Sequence, residues 1–469
     1  MAPSEQPLLR EKLCFGFGDL ASVLYWQTFM VYLSYFYTDV FVIPAAAAGT
    51  MILISRLWDG VNDPMMGMIA DRTQTRWGKF RPYLLWICVP LAVVGVLTFT
   101  TPHFGPTGRL IWAYATFVPL MMLYTAINIP YTSLLGVISS DPNVRTSVSS
   151  IKFLFAFSAG VIVSATLLPM AKVLGGGSDA RGWQLSFVVY GVAAVVFFLI
   201  AFAGTRERVR PPPAQKTSVG RDLADLITNG PWIILLFTTI TFILFVAVRS
   251  SVTVHYFKYF VGPQAVSLPF LGDRTYGFDV LVSAFNTSGQ MASIVGVLVL
   301  PAYVRLVGGK PAFVSMFLIA IVSTAAFYFL QPGQLVLIFG LNLLGSLSGG
   351  PLSALLWAMY ADTADYGEWK RGRRSTGLVF SASTMSQKFG WAIGAYVALG
   401  LMAQVGFHPN VAQTPAALHG LVLLVSLIPA AIGLVSLALV FFYPLNEPRV
   451  RQIESDLKAR RVAAAAPAA

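Results

Sequence analysis

Arg56-Leu57-Trp58-Asp59-Gly60-Val61-Asn62-Asp63-Pro64, leading on to Asp71-Arg72-Thr73-Gln74-Thr75-Arg76-Trp77-Gly78-Lys79-Phe80-Arg81-Pro82, sets two carboxylates, an amide and a guanidinium in an apolar run that ends in a basic turn. A charged side chain at mid-membrane depth costs about 2.5–3.5 kcal/mol even on lenient insertion scales. Residues kept there despite that cost commonly hold an ion, a proton or a polar solute. In a helix, Asp59, Asn62 and Asp63 are spaced i, i+3 and i+4 and so share one face, with Arg56 one turn earlier. Two carboxylates and one guanidinium leave a net charge of about −1, which suits a monovalent cation. A purely structural buried ion pair is the alternative on these residues alone.

Composition sets the class. The 469 residues are 56% hydrophobic and 11% charged, whereas soluble domains carry about a quarter charged residues. Long apolar runs recur from Phe15 to Tyr443. A bilayer core about 30 Å thick needs about 20 apolar residues per crossing, so the chain has room for about twelve spans. The fold class predicted is an all-α polytopic membrane protein. The short polar stretch before Phe15 does not read as a cleavable signal. The two cysteines, Cys14 and Cys88, have no metal-ligand spacing and read as packing residues.

The net charge of +12 is not a nucleic-acid signal, because the basic residues fall in alternate loops. Arg10 and Lys12 precede the first span, Arg72 to Arg81 follow the second, and Arg145 follows the fourth. Arg206 to Arg221 follow the sixth, Arg305 and Lys310 the eighth, Lys370 to Arg374 the tenth, and Arg449 to Arg461 lie in the tail. The intervening loops hold only Arg109, Lys172, Arg181 and Arg274. This positive-inside pattern predicts cytoplasmic termini and an even number of spans. Spans are expected near 14–41, 45–70, 83–101, 110–138, 147–172 and 183–204, and again near 231–261, 278–305, 311–330, 334–361, 375–404 and 417–443. The expected organisation is a cytoplasmic N-terminus (1–13), a six-helix half (14–204), a cytoplasmic linker (205–230), a second half (231–443) and a cytoplasmic tail (444–469). Pro211-Pro212-Pro213 cannot continue a helix and marks the linker. Arg76-Trp77-Gly78-Lys79 is echoed by Arg305…Gly308-Gly309-Lys310, and Asp141…Arg145…Lys152 by Asp362…Arg374…Lys388. Paired halves of this kind describe secondary transporters.

These residues resemble the glycoside–pentoside–hexuronide:cation symporters, the melibiose permease-like branch of the major facilitator superfamily. The resemblance runs from Phe15 to about Arg451. Its specific pieces are Tyr37-Thr38-Asp39-Val40, the Trp58–Pro64 and Arg76–Pro82 runs, Asn128-Ile129-Pro130-Tyr131, Ala361-Asp362-Thr363-Ala364-Asp365-Tyr366-Gly367-Glu368, and Gln387-Lys388-Phe389-Gly390-Trp391. It implies twelve transmembrane helices in two pseudo-symmetric halves, alternating access, and a cation held by Asp59, Asn62, Asp63 and Thr125. No cofactor is expected beyond the coupling ion, Na+ or H+. Oxygen ligands at Asp59 and Asp63 suit Na+, with the Asn62 amide adding a neutral oxygen, and a carboxylate pair also suits a proton.

The family's sugar site lies between the halves, and the match there is partial. The first-span aspartate of melibiose permease corresponds to Val23, its fourth-span aspartate to Asn128 and its stacking tryptophan to Thr132, which argues against melibiose or a close galactoside. Trp26 and Gln27 on the first span, Asn128 and Thr132 on the fourth, and Thr384, Lys388 and Trp391 on the eleventh are the substrate candidates. Lys152 falls one residue from the family's fifth-span arginine. Aromatic faces cover the apolar side of a pyranose, while amides and charges bind its hydroxyls. A cation at Lys152, Arg249 or Lys388 would also take a carboxylate, which keeps a hexuronide in view. Trp26 as a packing residue, Asn128 as a partner for groups freed by Pro130, and Lys152 and Arg249 as structural pairs are the plainer alternatives.

The remaining charges suggest gating. Arg56 and Arg76, with Asp141 and Arg145 in one half and Asp362, Asp365, Glu368 and Arg374 in the other, are expected to form ion pairs that hold the cytoplasmic side closed. Exposed pairs are worth under about 1 kcal/mol each, so only a network biases two states. The chain is not expected to be an enzyme. A prenyltransferase would want Asn-Asp-x-x-Asp, and Asn62-Asp63-Pro64-Met65-Met66 lacks the second acid. A same-fold carrier of a lysolipid or organic acid is the other alternative, although Gln27, Asn128, Thr132 and Thr384 favour a hydroxyl-rich solute. The expected partners are a small sugar or glycoside, a monovalent cation and the bilayer, with no nucleic acid. A monomer in the cell inner membrane is the expected state.

Overall fold

A computed structural model describes residues 9–139, 142–208, 226–268, 272–372 and 376–465. Helix α1 (Leu9–Val31) continues through Leu33–Tyr35 into a π-helical turn, Phe36–Val40. It is followed by α2 (Ala45–Arg72), α3 (Arg81–Thr98), α4 (Pro106–Val137), α5 (Pro142–Gly175) and α6 (Asp179–Gly204). Helix α7 (Gly230–His255) also ends in a π-helical turn, Tyr256–Val261, before a short antiparallel hairpin of β1 (Gln264–Leu268) and β2 (Gly272–Tyr276) that pairs Val266 with Arg274. Then come α8 (Phe278–Val307), α9 (Gly309–Ala326), α10 (Leu335–Gly349), α11 (Leu352–Arg371), α12 (Thr376–Gln404), α13 (Pro415–Val425), α14 (Leu427–Phe441) and α15 (Glu447–Ala465). Each expected span falls on helix. The hairpin and the α15 helix were not anticipated.

Among the described residues, nine helical runs are long and apolar enough to cross a membrane by length and composition. The three expected spans outside that set are carried by α1, α2 and α12. These are the helices diluted by Asp19 and Gln27, by Arg56, Asp59 and Asp63, and by Gln387 and Lys388.

The described chain divides into two compact units. Unit 1 comprises Met1–Ala214, Ser250–Thr287 and Ala395–Leu421, and unit 2 comprises Gln215–Arg249, Ser288–Gly394 and Val422–Ala469. Unit 1 packs α1 against α5 and α6, and α4 against α2 and α3. Backbones meet closely where side chains are absent: a Cβ on Gly182 would lie 1.9 Å from the Ala171 carbonyl oxygen, so α5 and α6 touch there only because residue 182 is glycine. Unit 2 is built on an aromatic core that includes Phe242, Phe313, Phe317 and Tyr360. Its helix α15 lies along α11, burying Ile453 and Leu457, with Trp369 Nε1 donating to Asp456 at 2.8 Å. Lys310 Nζ donates to the carbonyls of Phe441 and Tyr443 at 2.9 and 2.6 Å, placing a cation at the C-terminal end of α14.

The basic turn before α3 is held by a carboxylate from the chain after α6. Glu207 accepts the backbone N–H groups of Lys79, Phe80 and Arg81 at 2.8, 2.7 and 3.0 Å. These are donors that a helix N-terminus leaves without intrahelical partners, and the positive end of the helix dipole favours the charge. Gly78 makes the approach feasible: its φ is +109°, and a Cβ there would lie 2.4 Å from Glu207 Cδ. Arg208 next door donates to both oxygens of Glu11 at 2.7 Å, so the first residues of the expected linker are sewn into unit 1. Glu207→Ala is expected to lower the thermal midpoint of the purified protein at a cost of about 1–2 kcal/mol, and Gly78→Ala at about 1–3 kcal/mol. Unchanged midpoints in both variants would remove the clip from the account of stability.

Candidate functional site

Unit 1 gathers the second-span polar residues around α4. Arg56 and Asp59 are buried at 2% and 1% exposure, while Asn62 and Asp63 are half-buried on the same face of α2. Thr125 Oγ1 on α4 donates to Asp63 Oδ1 at 3.1 Å, bringing the fourth expected ligand to the other three. Pro64 lies inside α2 and has no N–H for the Gly60 carbonyl one turn back, which loosens the helix beside the carboxylates. The Asn62 side-chain nitrogen is buried without a hydrogen-bond partner among the described residues. Arg56 Nη1 stands 3.7 Å from Asp59 Oδ2, an attractive pair longer than an ordinary hydrogen bond.

An aromatic relay leads from this cluster to the substrate candidates on α1 and α4. The Arg56 guanidinium lies 4.8 Å from the Trp26 ring, and Trp26 stacks on Tyr124 at 6.0 Å with the planes 19° apart. Asn128 is half-buried one turn beyond Tyr124 on the same face of α4. Gln27 is half-buried on α1. Thr132 is exposed and spends its hydroxyl proton on its own helix, at the carbonyls of Asn128 (2.9 Å) and Ile129 (3.0 Å).

Sequence reasoning missed Asp19. Its carboxylate is buried on α1, 3.6 Å from Lys152 Nζ on α5, and the same ammonium faces the Tyr131 ring at 5.8 Å. Tyr131 is fixed in turn by donating to the Phe15 carbonyl at 2.8 Å. Asp19 lies one turn before Val23 and two before Trp26, so all three share a face. Its mark in the sequence is a lone acid in an apolar run, one turn before Val23.

Unit 2 carries the remaining candidates. The Arg249 guanidinium lies 4.6 Å from the Phe327 ring. On α12, Thr384, Lys388 and Trp391 are spaced i, i+4 and i+7 along one face; Thr384 is exposed, Lys388 half-buried, and Trp391 packs against the unit's core. Of the expected gating residues, Arg76 is exposed and stacks on Trp77 at 4.4 Å, and Arg145 is half-buried in the first turn of α5. Asp362, Asp365 and Glu368 line the last turns of α11. Asp141 and Arg374 lie outside the described residues.

The motifs and this arrangement agree with the family comparison, in which the model for MFS/sugar transport proteins matches residues 14–447. The chain belongs to that family. Its relatives include the isoprimeverose transporter of Lactiplantibacillus pentosus, 35% identical over 92% of this chain and 88% of the relative. The putative glycoside/cation symporter YagG of Escherichia coli is 33% identical over 98% of this chain and 96% of that protein. Among solved structures, a bacterial homologue of the human drug peptide transporters PepT1 and PepT2 superposes with a TM-score of 0.66 at 13% identity, covering 93% of this chain and 98% of that one. Likeness at that identity bears on the fold alone, which is the twelve-helix major facilitator architecture of a multi-pass membrane protein.

The Asp19–Lys152 pair has a consequence for stability. Removing one partner strands the other charge in an apolar setting, so Asp19→Ala and Lys152→Ala are each expected to lower the thermal midpoint more than the double variant does per residue removed. A double-mutant cycle is expected to give a coupling of about 0.5–3 kcal/mol. Strictly additive losses would show that the two side chains do not act as a unit.

Proposed function

We propose that the protein is a secondary active transporter coupling the movement of a glycoside, pentoside or hexuronide to Na+ or H+ by alternating access. The observation that carries this reading is that Asp59, Asn62 and Asp63 share one face of α2, where Thr125 of α4 bonds Asp63 and Arg56 lies over Trp26. The names of the relatives, which speak of isoprimeverose and of glycoside/cation symport, support the substrate class.

The proposed cation site is formed by Asp59, Asp63 and Thr125, with the Asn62 amide at its edge. Without an ion, two carboxylates one turn apart repel, and Arg56 offsets only part of the charge. An ion or proton removes the remainder and frees Arg56 from Asp59, so its position over Trp26 responds to occupancy. Trp26 offers a face to the apolar side of a sugar ring, Gln27 and Asn128 offer amides to its hydroxyls, and the Asp19–Lys152 pair offers an acceptor and a donor where Val23 has neither. Within unit 2, Thr384, Lys388 and Trp391 on one face of α12 are the candidates for sugar contacts, and Arg249 is held against Phe327. Because the cation and sugar sites are joined through Arg56 and Trp26, each ligand tightens the other by one common factor. The basic residues in alternate loops support placement in the cell inner membrane with both termini in the cytoplasm.

The test is uptake into proteoliposomes of labelled neutral glycosides, pentosides and glucuronides under imposed Na+ or H+ gradients. Accumulation of at least one solute is expected under one gradient, and Asp59→Asn/Asp63→Asn is expected to abolish it while passive exchange continues. Accumulation that survives the double substitution would overturn the cation site; none with any solute would overturn the substrate class. Thr125→Val removes one hydrogen bond from Asp63 and is expected to raise the half-saturating cation concentration roughly 2–10-fold.

A further inference from the structure

Unit 1 holds a second cluster of buried polar groups, at the end remote from the Arg76–Arg81 turn, which the proposed cation and sugar sites do not use. It sits where two π-helical turns meet, Phe36–Val40 after α1 and Tyr256–Val261 after α7. Such turns are rare and are found mostly at functional sites. Asp39, in the first turn, is the hub. Its Oδ1 accepts from Lys258 Nζ at 2.8 Å and from the Tyr259 hydroxyl. Its Oδ2 accepts from the Thr38 hydroxyl at 2.7 Å and lies 3.1 Å from His255 Nε2. Its backbone carbonyl accepts from Asn410 Nδ2 at 2.7 Å. Asn410 closes the knot by accepting from Lys258 Nζ and donating its backbone N–H to the Tyr259 hydroxyl, both at 2.7 Å.

Three stretches distant in sequence thus meet at one residue, Asp39. The Asp39 and His255 side chains are fully buried, whereas Lys258, at 17% exposure, and Tyr259 are partly exposed and Asn410 is exposed. The surroundings are aromatic: Lys258 faces Tyr35 at 5.1 Å, and His255 meets Phe407 edge to face at 5.4 Å. A buried ion pair is a weaker source of net stability than apolar packing of the same volume, but losing one partner is severe. That asymmetry suits a contact made whole in one state and dissolved in another. The backbone beside it is strained at one point: the β-branched Val42 has φ +58°, a region such residues rarely adopt, whereas asparagine tolerates the φ of +59° at Asn410. Strain of this kind persists where the surroundings hold it in place and gathers at switches.

We propose that the Asp39–Lys258–Asn410 knot is a releasable latch, which holds Ser250–Thr287 and Ala395–Leu421 against the end of the first span and must dissolve for that end of the carrier to open. The partly exposed Lys258 ammonium is the point at which water enters and replaces the bonds to Asp39. This latch does not depend on the assignment of Asp59 and Asp63, so either can fail without the other.

The experiment uses the full chain in lipid nanodiscs, spin-labelled at Phe104→Cys and Thr275→Cys in a background with Cys14 and Cys88 replaced. Both labelled positions are exposed on this end of unit 1. Distance distributions are compared for the parent, Lys258→Gln and Asn410→Gly. Asn410→Gly is the mild variant, because glycine accepts the positive φ while losing the side-chain bonds. Each variant is expected to raise the population at longer separation by about fivefold or more. The swap Asp39→Lys/Lys258→Asp is expected to bring the distribution part of the way back. Distributions identical to the parent in folded, monodisperse Asn410→Gly and Lys258→Gln would overturn the latch, as would a lowered thermal midpoint with no change in distance.

Discussion

No carboxylate can stand alone inside an apolar helical bundle, and this constraint organises the molecule. An uncompensated charge in such surroundings costs several kcal/mol. The acids of the first two spans all meet it, but not equally. Asp39 is saturated by short contacts, with Lys258 at 2.8 Å. Asp59 stands 3.7 Å from Arg56 and Asp19 3.6 Å from Lys152, both beyond ordinary hydrogen-bond length. Asp63 is satisfied in part by a neutral hydroxyl. The tight pair ties segments of chain together. The looser ones lie beside the aromatic platform, which is the arrangement a reversible binding site needs.

The same constraint explains where secondary-structure signals weaken. Helices α1, α2 and α12 fall short of the other expected spans in apolar length and composition, because they bear charged and amide side chains inside their apolar runs. The loss of hydropathy in a span is compensated by its neighbours, as Thr125 on α4 and Lys152 on α5 show for α2 and α1. Pro64 adds a second effect by withdrawing one rung of the helix ladder beside the acids.

Much of this was legible in the chain. Apolar runs separated by basic turns located the helices, and helical spacing alone put Asp59, Asn62 and Asp63 on one face. Thr125 came from resemblance, since nothing in its own neighbourhood marks it. What escaped has a common cause: contacts between residues far apart in sequence. Glu207 finds Arg81 across 126 residues and Asn410 finds Asp39 across 371, and no local pattern announces either. The π-helical turns escaped for another reason, because five or six residues wound slightly wider leave no mark on hydrophobic periodicity. Helix α15 was hidden by its charge, which outweighs the buried Ile453 and Leu457 in any average.

The wide turns at the ends of α1 and α7 carry a mechanical meaning. A helix is a screw, and each residue of an α-helix advances its neighbours by about 100° around the axis. A segment wound as π holds more residues in each revolution, so rewinding Phe36–Val40 to α pitch would rotate whatever lies past it relative to the body of the helix. Asp39 rides on that thread, and Lys258 rides on the matching one. A change of pitch at either end would carry one charge out of register with the other, with no bend in the long helices that connect them to the rest of the carrier.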